Sequence, residues 1–284
     1  MTLHSDDLPM ILTATGRDQP GLTAAITTAV TAAGGNIIEL GQQTDPYVQL
    51  YGCRIAITGD LAEEQLVTEL DALGVRLGIS WTLHDRQVRP RLVIACSAAL
   101  HCVTDLLGRI QTGDLRCDLV GIVSDKPAVA DLAARMAVPL LEVPVGEDRV
   151  AQEQAFAEAV ASFSPDLVVL ARYMRILPAW ITDAYEARMI NIHHSTLPAF
   201  PGANPRRRAH ERGVKMIGAT AHYVTAELDE GPIIDQDVIR IGNHTLSETI
   251  QLGEDVERLV LARAIRLHLD HRVMVFGDRT CVFG

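Results

Sequence analysis

Apolar and polar positions along this chain follow two rhythms, and the change falls near Arg86-Gln-Val-Arg-Pro90. Ahead of it, residues 10–15 form a short apolar run with β-branched members. Asp18-Gln-Pro-Gly21 then turns the chain into an Ala-rich helical stretch, 22–33, stopped by Gly34-Gly35. Residues 36–44 and 48–57 alternate as a hairpin does, 63–73 carries Leu66, Val67, Leu70 and Leu73 at helical spacing, and 78–84 closes the set. The order βαββαβ predicts an antiparallel, ferredoxin-like sheet with two helices on one face.

Beyond Pro90 the strand-like runs at 91–96, 119–123, 166–171 and 189–192 are continuously apolar, and helical stretches near 104–111, 128–136, 150–163 and 178–187 separate them. Strands apolar on both faces imply a parallel sheet covered by helices on both sides. Residues 204–213 read as a helix and 217–225 and 232–241 as further strands. A long amphipathic helix follows over 247–269, its apolar face including Ile250, Val256, Leu259, Val260 and Ile265. Residues 272–283 alternate like a final edge hairpin. The expected fold class is α/β, with one domain over 8–86 and a Rossmann-like domain with a mostly parallel sheet over 90–284.

Composition narrows the partners. A chain of 284 residues is long enough for two cores without disulfides or metal. Lys and Arg number 25 against 36 Asp and Glu, and the net charge of −11 argues against nucleic acid, whose binding rests on neutralised phosphates. The five cysteines are odd in number and form no Cys-x-x-Cys pair, which suits a reducing compartment and lacks the usual zinc spacing. No stretch approaches the roughly 20 apolar residues of a membrane span. The segment after the polar residues 1–7 is too short for a signal-peptide core. A cytoplasmic protein acting on a small molecule or binding another protein is expected.

The chemistry concentrates in Asn191-Ile-His193-His194-Ser195, where an apolar run ends in an amide, two imidazoles and a hydroxyl. Ligands of open parallel sheets bind beyond the carboxyl ends of the strands. Two other segments are placed to converge there: Ala171-Arg-Tyr-Met-Arg-Ile-Leu-Pro178 and Leu228-Asp-Glu-Gly-Pro232. An imidazole moves a proton near neutral pH, an Asn amide donates to a developing oxyanion, and a carboxylate orients and charges the imidazole. His193, Asn191 and Asp229 supply those parts. Each alone has a plainer use, in packing, capping or a turn.

The ordered combination carries a resemblance. Asn191-Ile-His193, Ser195-x-Leu-Pro198, Gly218-Ala-Thr-Ala-His222-Tyr-Val and Leu228-Asp229-Glu-Gly-Pro-Ile-Ile resemble the formyltransferase-fold family that uses 10-formyltetrahydrofolate. The doubled His193-His194, Gly202-Ala-Asn-Pro205, Ala209-His-Glu-Arg-Gly-Val-Lys215 and the N-terminal block narrow this to the formyltetrahydrofolate deformylases.

The resemblance implies an ACT regulatory and oligomerisation domain over 8–86 and a catalytic domain over 90–284. It implies catalysis by Asn191, His193 and Asp229, and substrate contacts from Met174, Arg175, Ile176, Leu177, His194, Ser195 and Glu230. Asp18, Gly21 and Asn36 would lie near an effector site, with glycine or methionine as candidate amino acids and a homo-oligomer as the assembly. The implied reaction is hydrolysis of 10-formyltetrahydrofolate to formate and tetrahydrofolate, supplying formate for purine biosynthesis, with no metal and no cofactor beyond the folate substrate. Cys96-Ser-Ala-Ala-Leu-His-Cys102 lacks the glycines of a phosphate cradle, which favours water as the acceptor. The alternatives are a formyltransferase with an unidentified amine acceptor and a non-catalytic folate or amino-acid sensor. Arg206-Arg-Arg208 stands where an aromatic-His pair is usual; it reads as a solvated helix face or as an anion contact, for instance to a folate glutamate tail.

Overall fold

The computed structural model describes residues 9–198 and 205–284. Their contacts separate two units, one running to Arg89 and including Asp270–Gly284, the other Pro90–Leu269.

In the first unit β1 (Met10–Arg17), β2 (Asn36–Asp45), β3 (Leu50–Thr58) and β4 (Ile79–Asp85) form an antiparallel sheet in the order β2-β3-β1-β4. Alternation along β3 sends Tyr51, Cys53, Ile55 and Ile57 to one face. There they join Leu22, Ile26 and Val30 of α1 (Leu22–Ala32) and Leu66 and Leu70 of α2 (Glu63–Leu77) in one core. Val67, counted in the apolar stripe from its spacing, is exposed.

The other face of β3 is covered too. β12 (Val273–Phe276) and β13 (Arg279–Val282) form the hairpin expected for the tail, and Met274, Phe276, Cys281 and Phe283 pack with Leu50. A Cβ on Gly52 would lie 2.6 Å from Phe276 Cζ and 2.9 Å from Met274 Sδ, so glycine makes room for the hairpin. The expected second domain ran to residue 284, whereas the contacts put Asp270–Gly284 with the first unit. Burial of Met274 and Phe276 against the sheet is the reason.

The second unit holds a seven-stranded sheet in the order β11-β10-β9-β8-β5-β6-β7. β5 (Arg91–Cys96), β6 (Asp118–Ser124), β7 (Leu140–Glu142), β8 (Leu167–Ala171) and β9 (Met189–His193) are parallel, while β10 (Met216–Tyr223) and β11 (Ile233–Arg240) complete it antiparallel. The three-residue edge strand β7 is not among the expected strands; its Leu140 and Leu141 end an apolar run, 136–141, that carries Pro139. α3 (His101–Gln111), α4 (Ala130–Arg135), α5 (Arg149–Ser162), α6 (Ala179–Ala184) and α7 (Pro205–Glu211) follow the order expected. Val93, Ala95, Val168 and Leu170 form a core with Phe156 and Val160 of α5 and Ile181 of α6.

α8 (Leu246–Leu269) packs on β9, β10 and β11. Its buried stripe runs through Thr249, Gly253, Val256, Val260 and Ala264 at i+3 and i+4 steps. Ile250, one residue past Thr249, and Leu259, one residue before Val260, are expected on that face from their spacing and are exposed. Glu257 lies in the stripe with no exposed surface.

Candidate active site

Side chains two apart on a strand share a face, so Asn191 and His193 project together from β9. β10 runs antiparallel beside it, with Thr220 opposite His193 and His222 opposite Asn191. Directly opposed residues point to the same side at neighbour distance. Two imidazoles, an amide and a hydroxyl thus meet at the end of the sheet.

Asp229 arrives from the loop after β10, in left-handed backbone at φ 58. Two residues on, a Cβ on Gly231 would stand 1.8 Å from the Tyr223 carbonyl oxygen, an approach open only to glycine. The Tyr223 N–H donates to the Pro232 carbonyl at 2.9 Å, closing the loop's base. Asp229 Oδ2 is thereby held 3.1 Å from His193 Nδ1. Burial alone would raise the Asp229 carboxyl, but the hydrogen bond and charge from His193 outweigh it and hold the group well below the usual carboxylate range.

The second nitrogen of His193, Nε2, is 2.9 Å from the Ser195 hydroxyl. Thr220 Oγ1 donates to the Ser195 carbonyl at 2.8 Å and accepts from Leu197 N at 3.0 Å and from Gln236 Nε2 at 2.9 Å, which pins the turn after β9. His222 Nδ1 donates to the Tyr223 carbonyl at 2.9 Å. Its Nε2, 3.2 Å from Asn191 Nδ2, then carries the lone pair that accepts one amide hydrogen. Asn191 keeps its second N–H for a ligand.

These groups floor a cleft of about 340 Å³ walled by Met174, Ile176, Leu177, Val224 and Leu228. Met174 and Ile176 expose 61% and 55% of their surface, apolar area suited to a flat heteroaromatic ring. Ser97, directly after β5, accepts from Met174 N at 3.2 Å and so props that wall. Arg175 lines the same cleft and pairs with buried Asp125 at 3.0 Å. An adjoining compartment of about 280 Å³ shares the 173–177 wall and adds Arg149 and Gln152.

Of the expected substrate residues, Met174, Arg175, Ile176, Leu177 and His194 line the cleft. Ser195 sits behind His193, and Glu230 points to solvent away from the lining. Asp18 and Gly21 share a polar depression of about 380 Å³ in the first unit with Thr23, Gln42, Thr44 and Tyr51. Asn36 is not among its walls; its amide reaches Thr58 Oγ1 at 3.4 Å. Arg207 is exposed and paired with Glu211 at 2.8 Å, a solvated helix face. Residues 202–204 of the Gly-Ala-Asn-Pro phrase and the Arg206 side chain lie outside the described residues.

The family described as formyl transferase matches residues 90–265, and the ACT domain family matches residues 9–84. A formyltetrahydrofolate deformylase of Synechocystis is 43% identical over 94% of this chain and 95% of its own length. The chain belongs to the formyltetrahydrofolate deformylase family. The crystal structure of a deformylase from Pseudomonas syringae superposes with a TM-score of 0.93 at 34% identity, covering 97% of this chain and 94% of that one. The Burkholderia mallei deformylase gives 0.92 at 38%, over 98% and all of its chain.

Within this deformylase-family chain the sequence reading left His222 and Thr220 without roles. Their signal was the period-two placement of Thr220 and His222 in one strand, which becomes informative once the register against β9 is known. Burial pushes the Cys96 thiol up to about 11, so it is not a thiolate nucleophile at neutral pH. Among the described residues His101, Cys102 and Glu257 bring one ligating atom each within 4.8 Å of one another. His101 and Glu257 are bonded to each other at 2.6 Å, and the Arg172 guanidinium lies beside them, which suits an ion-pair cluster better than a cation site. No helix among the described residues is long and apolar enough to cross a membrane.

Proposed function

We propose that this chain hydrolyses 10-formyltetrahydrofolate to formate and tetrahydrofolate, with Asn191, His193 and Asp229 as its catalytic residues. The observation that carries this reading is the Asp229–His193 pair at 3.1 Å beside an Asn191 amide with one N–H to spare, on the floor of an apolar-walled cleft. Water adds to the formyl carbon, and the tetrahedral oxyanion receives hydrogen bonds from Asn191 Nδ2 and from His193 in its imidazolium form. Asp229 stays ionised and balances that charge. The attacking water loses one proton to solvent, the C–N10 bond breaks as N10 takes the other, and formate leaves, available for purine biosynthesis. Met174, Ile176 and Leu177 offer the pterin its wall, and Arg149 and Arg175 of the adjoining compartment suit the folate's carboxylates. These residues need no metal or further cofactor for the steps described.

Purified protein supplied with 10-formyltetrahydrofolate and no amine is expected to release formate and tetrahydrofolate in equal amounts. Formate or transfer product forming only after an amine is added would replace hydrolysis by transfer. Binding of folate with no turnover at any pH would replace it by sensing.

The first unit is proposed as a regulatory and assembly module of the cytoplasmic enzyme. Asp18 beside Gly21, Thr23 and Gln42 offers a carboxylate and neutral acceptors to an amino-acid ammonium group such as that of glycine or methionine. β2 is an edge strand with Ile38 and Leu40 exposed, which favours pairing with a second copy. Calorimetric titration with glycine and methionine, beside light scattering for subunit number, tests both; silence with both amino acids and a monomer mass would end this part of the reading.

A further inference from the structure

Asp125, directly after β6, has no part in the steps above, although it is a buried carboxylate close to the cleft. Strand register puts it there. Cys96 at the end of β5 pairs with Ser124 of β6 on one side and Ala171 of β8 on the other, so the chain leaves three neighbouring strands at one level. The Ser124 hydroxyl accepts from Lys126 N at 3.2 Å and lies 3.0 Å from the Cys96 carbonyl, which fixes the turn that carries Asp125. The segment that leaves β8 is tied to both neighbours. Met174 N donates to Ser97 Oγ after β5 at 3.2 Å, and Arg175 Nε donates to Asp125 Oδ2 after β6 at 3.0 Å.

The two ends of this ion pair differ. Asp125 Oδ1 is buried with no hydrogen-bond partner among the described residues, so the carboxylate depends on Arg175 to offset the loss of its water. Arg175 keeps 37% of its side chain exposed and lines both the cleft and the adjoining compartment. A guanidinium is a rigid planar fork of donors. With Nε engaged by Asp125 its plane is set, and the two terminal nitrogens are left to grip a second carboxylate bidentately. Arg149 of the adjoining compartment is held otherwise. Its Nε pairs with Glu153 one turn along α5 at 2.6 Å, but 70% of the Arg149 side chain is exposed, and such surface pairs fix little. Of the two arginines that face a folate's carboxylates, Arg175 is the one with a buried anchor.

We propose that Asp125 is a positioning residue: it aims the Arg175 guanidinium at the glutamate carboxylates of the folate tail and so makes the site selective for folates that carry that tail. The inference rests on the folate reading of the cleft. Charge alone predicts the opposite effect, because a carboxylate near an anion-binding fork repels the anion and its removal would tighten binding. The direction given to the fork outweighs that repulsion.

Calorimetry with tetrahydrofolate, and with the analogue in which an uncharged methylamide replaces the glutamate, tests this. In Asp125→Asn, Kd for tetrahydrofolate should rise about 10- to 100-fold, as for loss of a charge-assisted fork, while Kd for the methylamide stays within about threefold. KM for 10-formyltetrahydrofolate should rise by the same factor with kcat for formate release within about threefold. Arg175→Met should lose as much, and the double variant should bind within about threefold of Arg175→Met, since Asp125 acts through that guanidinium. Unchanged or tighter binding of tetrahydrofolate by Asp125→Asn would overturn the proposal in favour of plain repulsion. Equal losses for tetrahydrofolate and the methylamide would overturn it in favour of a prop for the wall that seats the pterin.

Should Asp125→Asn not fold, Arg175→Lys decides. A single ammonium drawn to Asp125 has no fork left for the tail, so Kd for tetrahydrofolate should rise as in Arg175→Met, and wild-type affinity in Arg175→Lys would sink the idea. Calorimetry reads binding without turnover. A protein that binds tetrahydrofolate but releases no formate would refute hydrolysis and leave the Asp125 result standing, whereas one that binds no folate would refute both.

Discussion

Replacing Asp229 by Asn tests the site at its most exposed assumption, that the carboxylate acts by charge. The carboxamide keeps the shape of the side chain and an oxygen able to accept from His193 Nδ1, 3.1 Å from Oδ2 in the native enzyme. What disappears is the attraction between carboxylate and imidazolium. Two unit charges about 4 Å apart at an effective dielectric of about 20 interact by about 4 kcal/mol. The Asp229 side chain is 19% exposed, so water screens part of this, and about 2 to 4 kcal/mol is a fair range. At roughly 1.4 kcal/mol per decade, kcat should fall between about 30- and 1,000-fold. KM for 10-formyltetrahydrofolate should stay within about threefold, because the cleft walls are untouched.

The assay is initial-rate formate release at saturating folate. A variant within fivefold of wild-type kcat, or one impaired only in KM, would refute the charge argument. Stability supplies a second reading. The carboxyl is held below its unfolded value, so on acidification the unfolded chain takes up that proton first. The stabilisation from this group is complete above the unfolded value of about 4 and is lost as pH falls further. The melting-temperature gap between wild type and Asp229→Asn should therefore narrow below about pH 4, and a gap that widens there would reverse the sign of the argument.

His222→Ala removes the acceptor that orients the Asn191 amide, a hydrogen bond in the range of about 1 to 3 kcal/mol; kcat should drop about 10- to 100-fold in the formate assay with binding of folate preserved by calorimetry. Gly231→Ala puts a Cβ against the Tyr223 carbonyl and must shift the Asp229 loop, so kcat should fall at least tenfold while circular dichroism stays native. Phe276→Ala empties a nearly buried site between the terminal hairpin and β3; denaturant unfolding should show a loss of about 3 to 5 kcal/mol in the transition that reports the first unit.

Periodicity made all the strands of the two sheets but the short β7 legible, because they are covered on faces their own sequence advertises. It failed where a neighbour decides the outcome. The tail from 272 to 283 reads correctly as a hairpin, yet its alternation says nothing about which sheet it covers. The informative residue was Gly52, whose missing side chain leaves space for Phe276 and Met274. On α8 the spacing admitted Ile250 and Leu259 to the buried face, but the sheet selects Thr249 and Val260, and with them Glu257. A helical stripe fixes a face only to within about one residue, roughly 100°, and partner strands choose within that margin.

The active site divides the same way. Asn191 and His193 are legible as a pair because they lie two apart on one strand, a relation written in sequence. His222 joins them through a register between β9 and β10, and Asp229 through the close passage of Gly231 over Tyr223, relations that only pairing and packing supply. Family likeness bridged that gap for Asp229 but assigned His222 nothing. Glu230, neighbouring Asp229 in sequence, was implied by the same family likeness, and the left-handed turn at Asp229 sends it outward instead. The pair that β9 carries by alternation was thus legible in sequence, while residues joined by strand register or delivered by a turn had to be placed one at a time. A single backbone reversal decides which of two adjacent carboxylates, Asp229 or Glu230, faces the imidazole.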